Sequence, residues 1–257
     1  MTTQAVFDQA WKLSPASRVV TFDDGAVLLD LRTGRFHLMN RGAAQVLASL
    51  GTGACPLAAT RKLDPARAVD RVRQELSCFL ARLHRQGLVI PAGAADRHSG
   101  RAFAIEAKSQ PAPAAPTPAR RNLALEDVER AKLSSLDKIW GALAVAVAVG
   151  VLRCCSLRTI ERALIWIKAR CRHEADAQEA LTAWVATRRP RLFVFGRIAC
   201  LETSLAAILF NLSRGRRGVD WCIGVTTHPF MAHAWSEQAS QPLGEQVASS
   251  FRTILRI

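Results

Sequence analysis

Apolar and polar positions alternate in three short runs near the start of the chain. "RVVTF" (18–22) ends at the turn Asp23-Asp24-Gly25 and "AVLLDLR" (26–32) follows. Thr33-Gly34 then makes a tight hairpin into "RFHLMN" (35–40). After that the period lengthens. Asn40 suits the cap of a helix through "RGAAQVLASL" (41–50), which stops at Gly51. Asp64-Pro65 joins a capping residue to a first-turn proline. Behind it Val69, Val72, Leu76, Phe79, Leu80 and Leu83 share one helical face. "QGLVIP" (86–91) closes the stretch. Three strands followed by helices predict a small winged-helix-like domain over residues 1–90.

The pattern breaks at Pro91. Residues 91–122 turn Pro/Ala-rich in their second half and predict a flexible linker. Residues 123–257 form a second domain in this reading. Helical patterns run from Leu123 through "IWGALAVAVAVGVL" (139–152), "LRTIERALIWIKAR" (157–170) and "DAQEALTAWVATRR" (176–189), where Pro190 ends the last. The alanine/valine run is bounded by Lys138 and Arg153 and falls short of the roughly 20 residues a membrane span needs. It predicts a buried core helix, with an interfacial helix as the alternative, and no stable membrane span. A further helix starts at Cys200, is apolar at Leu201, Leu205, Ile208, Leu209 and Leu212, and stops at Gly215 and Gly218. Strands then flank the turn His228-Pro229: "WCIGVTT" (221–227) and residues 230–237. The class is α+β.

Composition narrows the partners. The chain has 257 residues, 49% of them hydrophobic, which suffices for two cores and excludes a disordered chain. Its formal charge is +14. Residues 1–90 hold 12 basic and 7 acidic residues, residues 91–122 hold 5 and 2, and residues 123–257 hold 18 and 12. The excess is spread out. It favours an acidic peptide, a nucleic acid or an anionic membrane surface without choosing among them. Seven cysteines at irregular spacings, with no CxxC, argue against a disulfide framework and a zinc knuckle. No apolar segment opens the chain, so no signal peptide is expected and the reading is cytoplasmic. Neither GxxxxGK[ST] nor HExxH occurs, and no cofactor or metal is expected.

Two residues carry the candidate chemistry. Cys200 falls at a helix start, where unpaired backbone N–H groups favour negative charge and so suit a thiolate nucleophile. Cys78, Cys154, Cys155 and Cys171 fall inside helical patterns and Cys222 in a strand, all expected as packing. His233 lies in "MAHAWSE" (231–237), with Trp235 on its side of the strand and Ala232 and Ala234 on the other. Packing of the Cys200 helix against the hairpin would let residues 33 positions apart meet. A Cys at a helix start, a His on a strand and an acid behind it make a papain-like or transglutaminase-like nucleophilic site. The acid is Glu237 or Glu245. Glu245 is preferred, because four residues along one strand separate Glu237 from the ring by roughly 13 Å.

The first domain has no room for an active site. His37 and His84 have no partners at ligand spacing and are expected at the surface or an edge. If the strand 35–40 lies at the sheet edge, Phe36, His37, Leu38 and Met39 can receive an added strand from another chain. DNA binding through a helix is the competing reading, and few Asn, Gln or Ser beside the arginines support it.

Two resemblances extend these readings. "GAVLLDLRTGRFHLMNRGAAQVLASL", followed by "ELSCFLARLHRQGLV", resembles the PqqD-like precursor-recognition domains. That resemblance implies a leader peptide added beside the third strand, against the last long helix. "CLETSL" (200–205), "IGV" (223–225) and "PFMAHAW" (229–235) resemble the transglutaminase-like protease part of the lasso-peptide B proteins. In that family the third catalytic member is usually an Asp twelve residues after the His, and Glu245 stands there in this chain. The resemblance implies a cysteine protease, a leader peptidase with Cys200, His233 and Glu245 as its catalytic residues. It also implies two partners, a precursor leader peptide and an ATP-dependent asparagine-synthetase-like cyclase, with no nucleic acid. A non-catalytic precursor adaptor and a DNA-binding regulator are the competing expectations.

Overall fold

A computed structural model describes residues 10–52, 69–92, 133–188, 200–244, 247 and 250–257. The fold is α+β and divides into two compact units, Met1–Lys108 and Ser109–Ile257. The expected linker lies, beyond Ala92, outside the described residues, as do residues 123–132.

In the first unit, β1 (Trp11–Leu13) precedes a three-stranded antiparallel sheet of β2 (Ser17–Thr21), β3 (Gly25–Asp30) and β4 (Arg35–Asn40). Helices α1 (Arg41–Thr52) and α2 (Val69–Arg85) follow, and β5 (Val89–Pro91) returns to pair with β1. Strand β1 has no counterpart among the expected elements, because its partner lies some 80 residues away in sequence. The central strand β3 is buried along its whole length. Leu28 joins Val46, Leu47, Val72, Leu76, Leu80, Leu83 and Trp11 in one apolar core, and the spacing read along α2 is the face that enters it. The start expected for that helix at Asp64-Pro65 lies outside the described residues.

Strand β4 is an edge, paired only to β3 among the described strands. Two local devices hold it. A Cβ on Gly25 would lie 2.0 Å from the Met39 carbonyl oxygen, so only glycine lets the two backbones pair this closely. At the other end, Asp30 accepts hydrogen bonds from Arg32 Nε (3.1 Å), Arg32 N (3.0 Å) and Thr33 Oγ1 (3.1 Å). Arg32 in turn donates to the Gln86 carbonyl. Burial works to raise the Asp30 pKa, but these donors hold it below the usual aspartate value. Asn40 Oδ1 accepts from Ala43 N at 3.0 Å, the cap expected for α1.

The second unit opens with α3 (Ser135–Cys154), whose start is fixed by a reciprocal cap between Ser134 and Asp137. Next come α4 (Leu157–Lys168), β6 (His173–Glu174), α5 (Ala177–Arg188) and α6 (Cys200–Ser213). After the short β7 (Arg216–Arg217), β8 (Val219–Thr227), β9 (Phe230–Gln238), β10 (Gln241–Pro242) and β11 (Arg252–Arg256) build an antiparallel sheet in the order β10-β9-β8-β11. Helix α6 packs against α3 and α5 on one side and the β8–β9 hairpin on the other.

Two expectations need correction. The alanine/valine helix is not a buried 14-residue core helix. It has 20 residues, and one helix face alone, at Gly141, Ala144, Val145 and Ala148, is buried. By length and composition it is long and apolar enough to cross a membrane. Charged end residues Asp137, Lys138 and Arg153 belong to the helix because its cap lies at Ser134, so the uncharged run understates its length. Nor are the helical cysteines uniformly core residues. Cys78, Cys154 and Cys155 are exposed; Cys171 is buried just past α4. Helical period says which residues share a face, not which face meets a neighbour.

Candidate active site

Cys200 is the first residue of α6 and is partly exposed. One turn further, Ser204 ties the helix to the sheet. Its Oγ accepts from Trp221 Nε1 (2.9 Å), and its carbonyl accepts from Ser236 Oγ (3.2 Å). Trp221 and Ser236 are register partners on β8 and β9, so they share one sheet face. All three residues are buried. The helix end is fixed separately. Ala175 N donates to the Arg217 carbonyl (2.7 Å) and Gln238 Nε2 to the Ala175 carbonyl (2.6 Å), so the chain leaving α6 sits at the Val219–Gln238 end of the hairpin. Through Trp221 and Ser236 the helix rests on the face of the hairpin opposite the one that carries His233.

Pairing along β8 and β9 is regular from Val219–Gln238 to Thr227–Phe230. Alternation then sets His233, Trp235 and Glu237 on one face with Cys222 and Gly224, and turns Ala234 and Ser236 to the other. The side-by-side placement read for His233 and Trp235 holds: their rings stack, centroids 6.0 Å apart at 18°. Phe251 approaches the imidazole from β11's approach segment at 5.8 Å. A Cβ on Gly224 would lie 2.5 Å from the Trp235 ring, so the glycine of "IGV" is the space the indole occupies.

Glu237 is committed elsewhere. It is only 6% exposed. Its Oε1 accepts from Trp235 Nε1 at 2.7 Å, and its Oε2 pairs with Arg256. Burial disfavours the charged guanidinium, yet the neighbouring Glu237 charge raises the Arg256 pKa further above its normal range. Burial and the Glu237 charge push the Cys222 thiol up to about 12, with Arg256 partly opposing, so Cys222 stays a protonated packing residue. Glu245 lies outside the described residues. Glu202, in the first turn of α6, has an Oε2 that is buried with no hydrogen-bond partner among the described residues.

Thus the structure groups His233 with Trp235, Phe251 and, through Trp235, Glu237. It joins the Cys200 helix to the same hairpin through Ser204. Arg256 and Phe251 were not anticipated, although the alternating "RTILR" (252–256) is a strand signal. Among the described residues no group of three or more His, Cys, Asp or Glu is placed to hold a metal ion. In the first unit, Leu38 is exposed while Phe36, His37 and Met39 are partly buried along the β4 edge. His84 packs on Trp11 (5.2 Å) and its Nδ1 lies 3.3 Å from the Val89 carbonyl, a packing role.

Residues 142–256 match the family model described as Transglutaminase-like superfamily. More particularly, the chain is similar to the solved structure of TbiB1 in complex with the TbiA(beta) leader peptide. The two are 26% identical, with 33% of this chain and 99% of that one covered, at a TM-score of 0.29. No curated protein matches the chain.

Proposed function

We propose that this chain is a cytoplasmic leader peptidase of lasso-peptide biosynthesis. The observation that carries the reading is a cysteine at the first position of α6 followed by the motif "PFMAHAW" around His233, both inside the span that matches the transglutaminase-like model. The transglutaminase-like match over residues 142–256 supports a cysteine-nucleophile site in the second unit.

In this mechanism Cys200 Sγ attacks the scissile carbonyl at the leader–core junction, and His233 takes the thiol proton. The helix-start N–H groups stabilise the oxyanion. His233 returns its proton to the departing amine, which becomes the new N-terminus of the core. Water, deprotonated by His233, then attacks the thioester and releases the leader acid and the free thiol. Glu245 orients the imidazole and balances its positive charge. Catalytic hydrogen bonds of this kind commonly tighten only with substrate bound. The freed amine suits an ATP-dependent cyclase, the expected partner, which would close it onto a side-chain carboxylate.

The first unit supplies recognition in the same proposal. The β4 edge at Phe36, His37, Leu38 and Met39 receives the leader as an added strand. Mass spectrometry of a precursor peptide incubated with the purified chain tests the whole reading. Wild type releases leader and core, and Cys200→Ala retains leader binding without cleavage. Full cleavage by Cys200→Ala overturns it.

A further inference from the structure

Helices α3 and α4 leave an apolar face uncovered. Leu136, Ile139, Trp140, Leu143 and Val147 recur at three- and four-residue steps along α3 and are 45–66% exposed. On α4, Ile165 and Trp166 are exposed as well. Trp140, Leu143 and Val147 line a groove of about 290 Å³ together with Leu209 and Leu212, and α4 contributes Ile167 to it. A contiguous apolar patch of this kind marks an interaction site.

Charge selects the partner. Residues 135–172 contain two acids. Asp137 is engaged by Ser134 and Arg214, and Glu161 is buried. Lys138, Arg153, Arg162, Arg170 and Arg172 are exposed over the same span. The Arg170 guanidinium lies 3.3 Å over the Trp166 ring, placing a cation against an exposed indole. Apolar side chains, two exposed tryptophans and unopposed basic residues complement the headgroup and upper acyl layer of an anionic bilayer.

We propose that the α3–α4 face docks on the surface of an anionic membrane. The helix lies in the plane of the bilayer and does not cross it. Its other face is packed in the unit, and a Cβ on Gly141 would sit 2.4 Å from the Ala186 carbonyl oxygen of α5, so the α3–α5 crossing is too close to open without loss of the core.

Co-sedimentation of the full chain with phosphatidylcholine vesicles, with and without about 30% phosphatidylglycerol, tests this. The chain sediments with the anionic vesicles, and raising salt from about 0.05 to about 0.5 M releases it. Trp140→Ser with Leu143→Ser cuts the bound fraction by about tenfold. Arg153→Glu with Arg162→Glu does the same while leaving the apolar stripe intact, so a fold defect in the first pair does not decide the outcome. Leader cleavage in solution is unchanged in both. Three results overturn the proposal: no binding to anionic vesicles, equal binding to both vesicle types, or wild-type binding by the folded charge-reversed pair. So does light scattering that shows a dimer dissociated by the Trp140/Leu143 pair, which would make the occupant a second copy.

Discussion

Gly224 sits under the indole of Trp235, the side chain on which His233 stacks: a Cβ at the glycine would meet the ring at 2.5 Å. Gly224→Ala therefore displaces Trp235, and with it His233, its own register partner. The variant loses about 1–3 kcal/mol of stability from overpacking and cleaves precursor more slowly per folded molecule. Urea denaturation and a cleavage time course measure the two effects.

Cys222 is buried, whereas Cys200 is partly exposed. Burial and the Glu237 charge push the Cys222 thiol up to about 12, so it stays protonated near neutral pH. Iodoacetamide labelling of the native chain, mapped by peptide mass spectrometry, modifies Cys200 together with the exposed Cys78, Cys154 and Cys155 and leaves Cys222 unmodified. Cys222→Ala retains leader cleavage.

Glu237 and Glu245 separate by kind of defect. Glu237→Gln breaks the part-buried pair with Arg256 and loses about 1–3 kcal/mol of stability. Glu245→Gln leaves stability near wild type and lowers kcat. A larger kcat loss at Glu237, with stability retained, would exchange their roles.

Asp30 gives the first unit an acid limit. Its folded pKa lies below the unfolded value of about 3.9, so its contribution is complete above that value and is lost as pH falls through the lowered folded one. Hydrogen exchange over residues 25–40 speeds up as pH drops below about 4, after correction for intrinsic exchange. Asp30→Asn exchanges faster at neutral pH and loses that acid dependence.

The β9–β10 turn carries Ala239 (φ 47°) and Ser240 (φ 64°), both in left-handed backbone. Replacing Ala239-Ser240 with Asn-Gly, the pair this hairpin conformation favours, raises stability by about 1 kcal/mol. Thermal unfolding of the full chain measures it.

The β8–β9 hairpin was legible almost to the residue, because two apolar strands flank a single His-Pro turn. So was the start of α6, where an apolar helical face begins at Cys200. Both are local signals. What was not legible depends on distant partners. Strand β1 exists by pairing with β5, and β11 by pairing with β8. The exposure of α3 depends on how many neighbours cover a helix that is apolar nearly all round, which its own sequence does not record. The same holds for Glu237. Its spacing from His233 was legible, but its capture by Trp235 and Arg256 required the position of the last strand.

The staple from Asp30 through Arg32 to the Gln86 carbonyl, with the close Gly25–Met39 contact at the other end, leaves β4 little freedom to rearrange. A peptide that adds to this edge meets a finished template, and the entropy of ordering falls almost wholly on the peptide. Affinity in such a pairing is governed by how extended the free peptide already is. In the proposed recognition, a leader segment biased toward strand by β-branched residues would bind more tightly than a glycine-rich one of equal length.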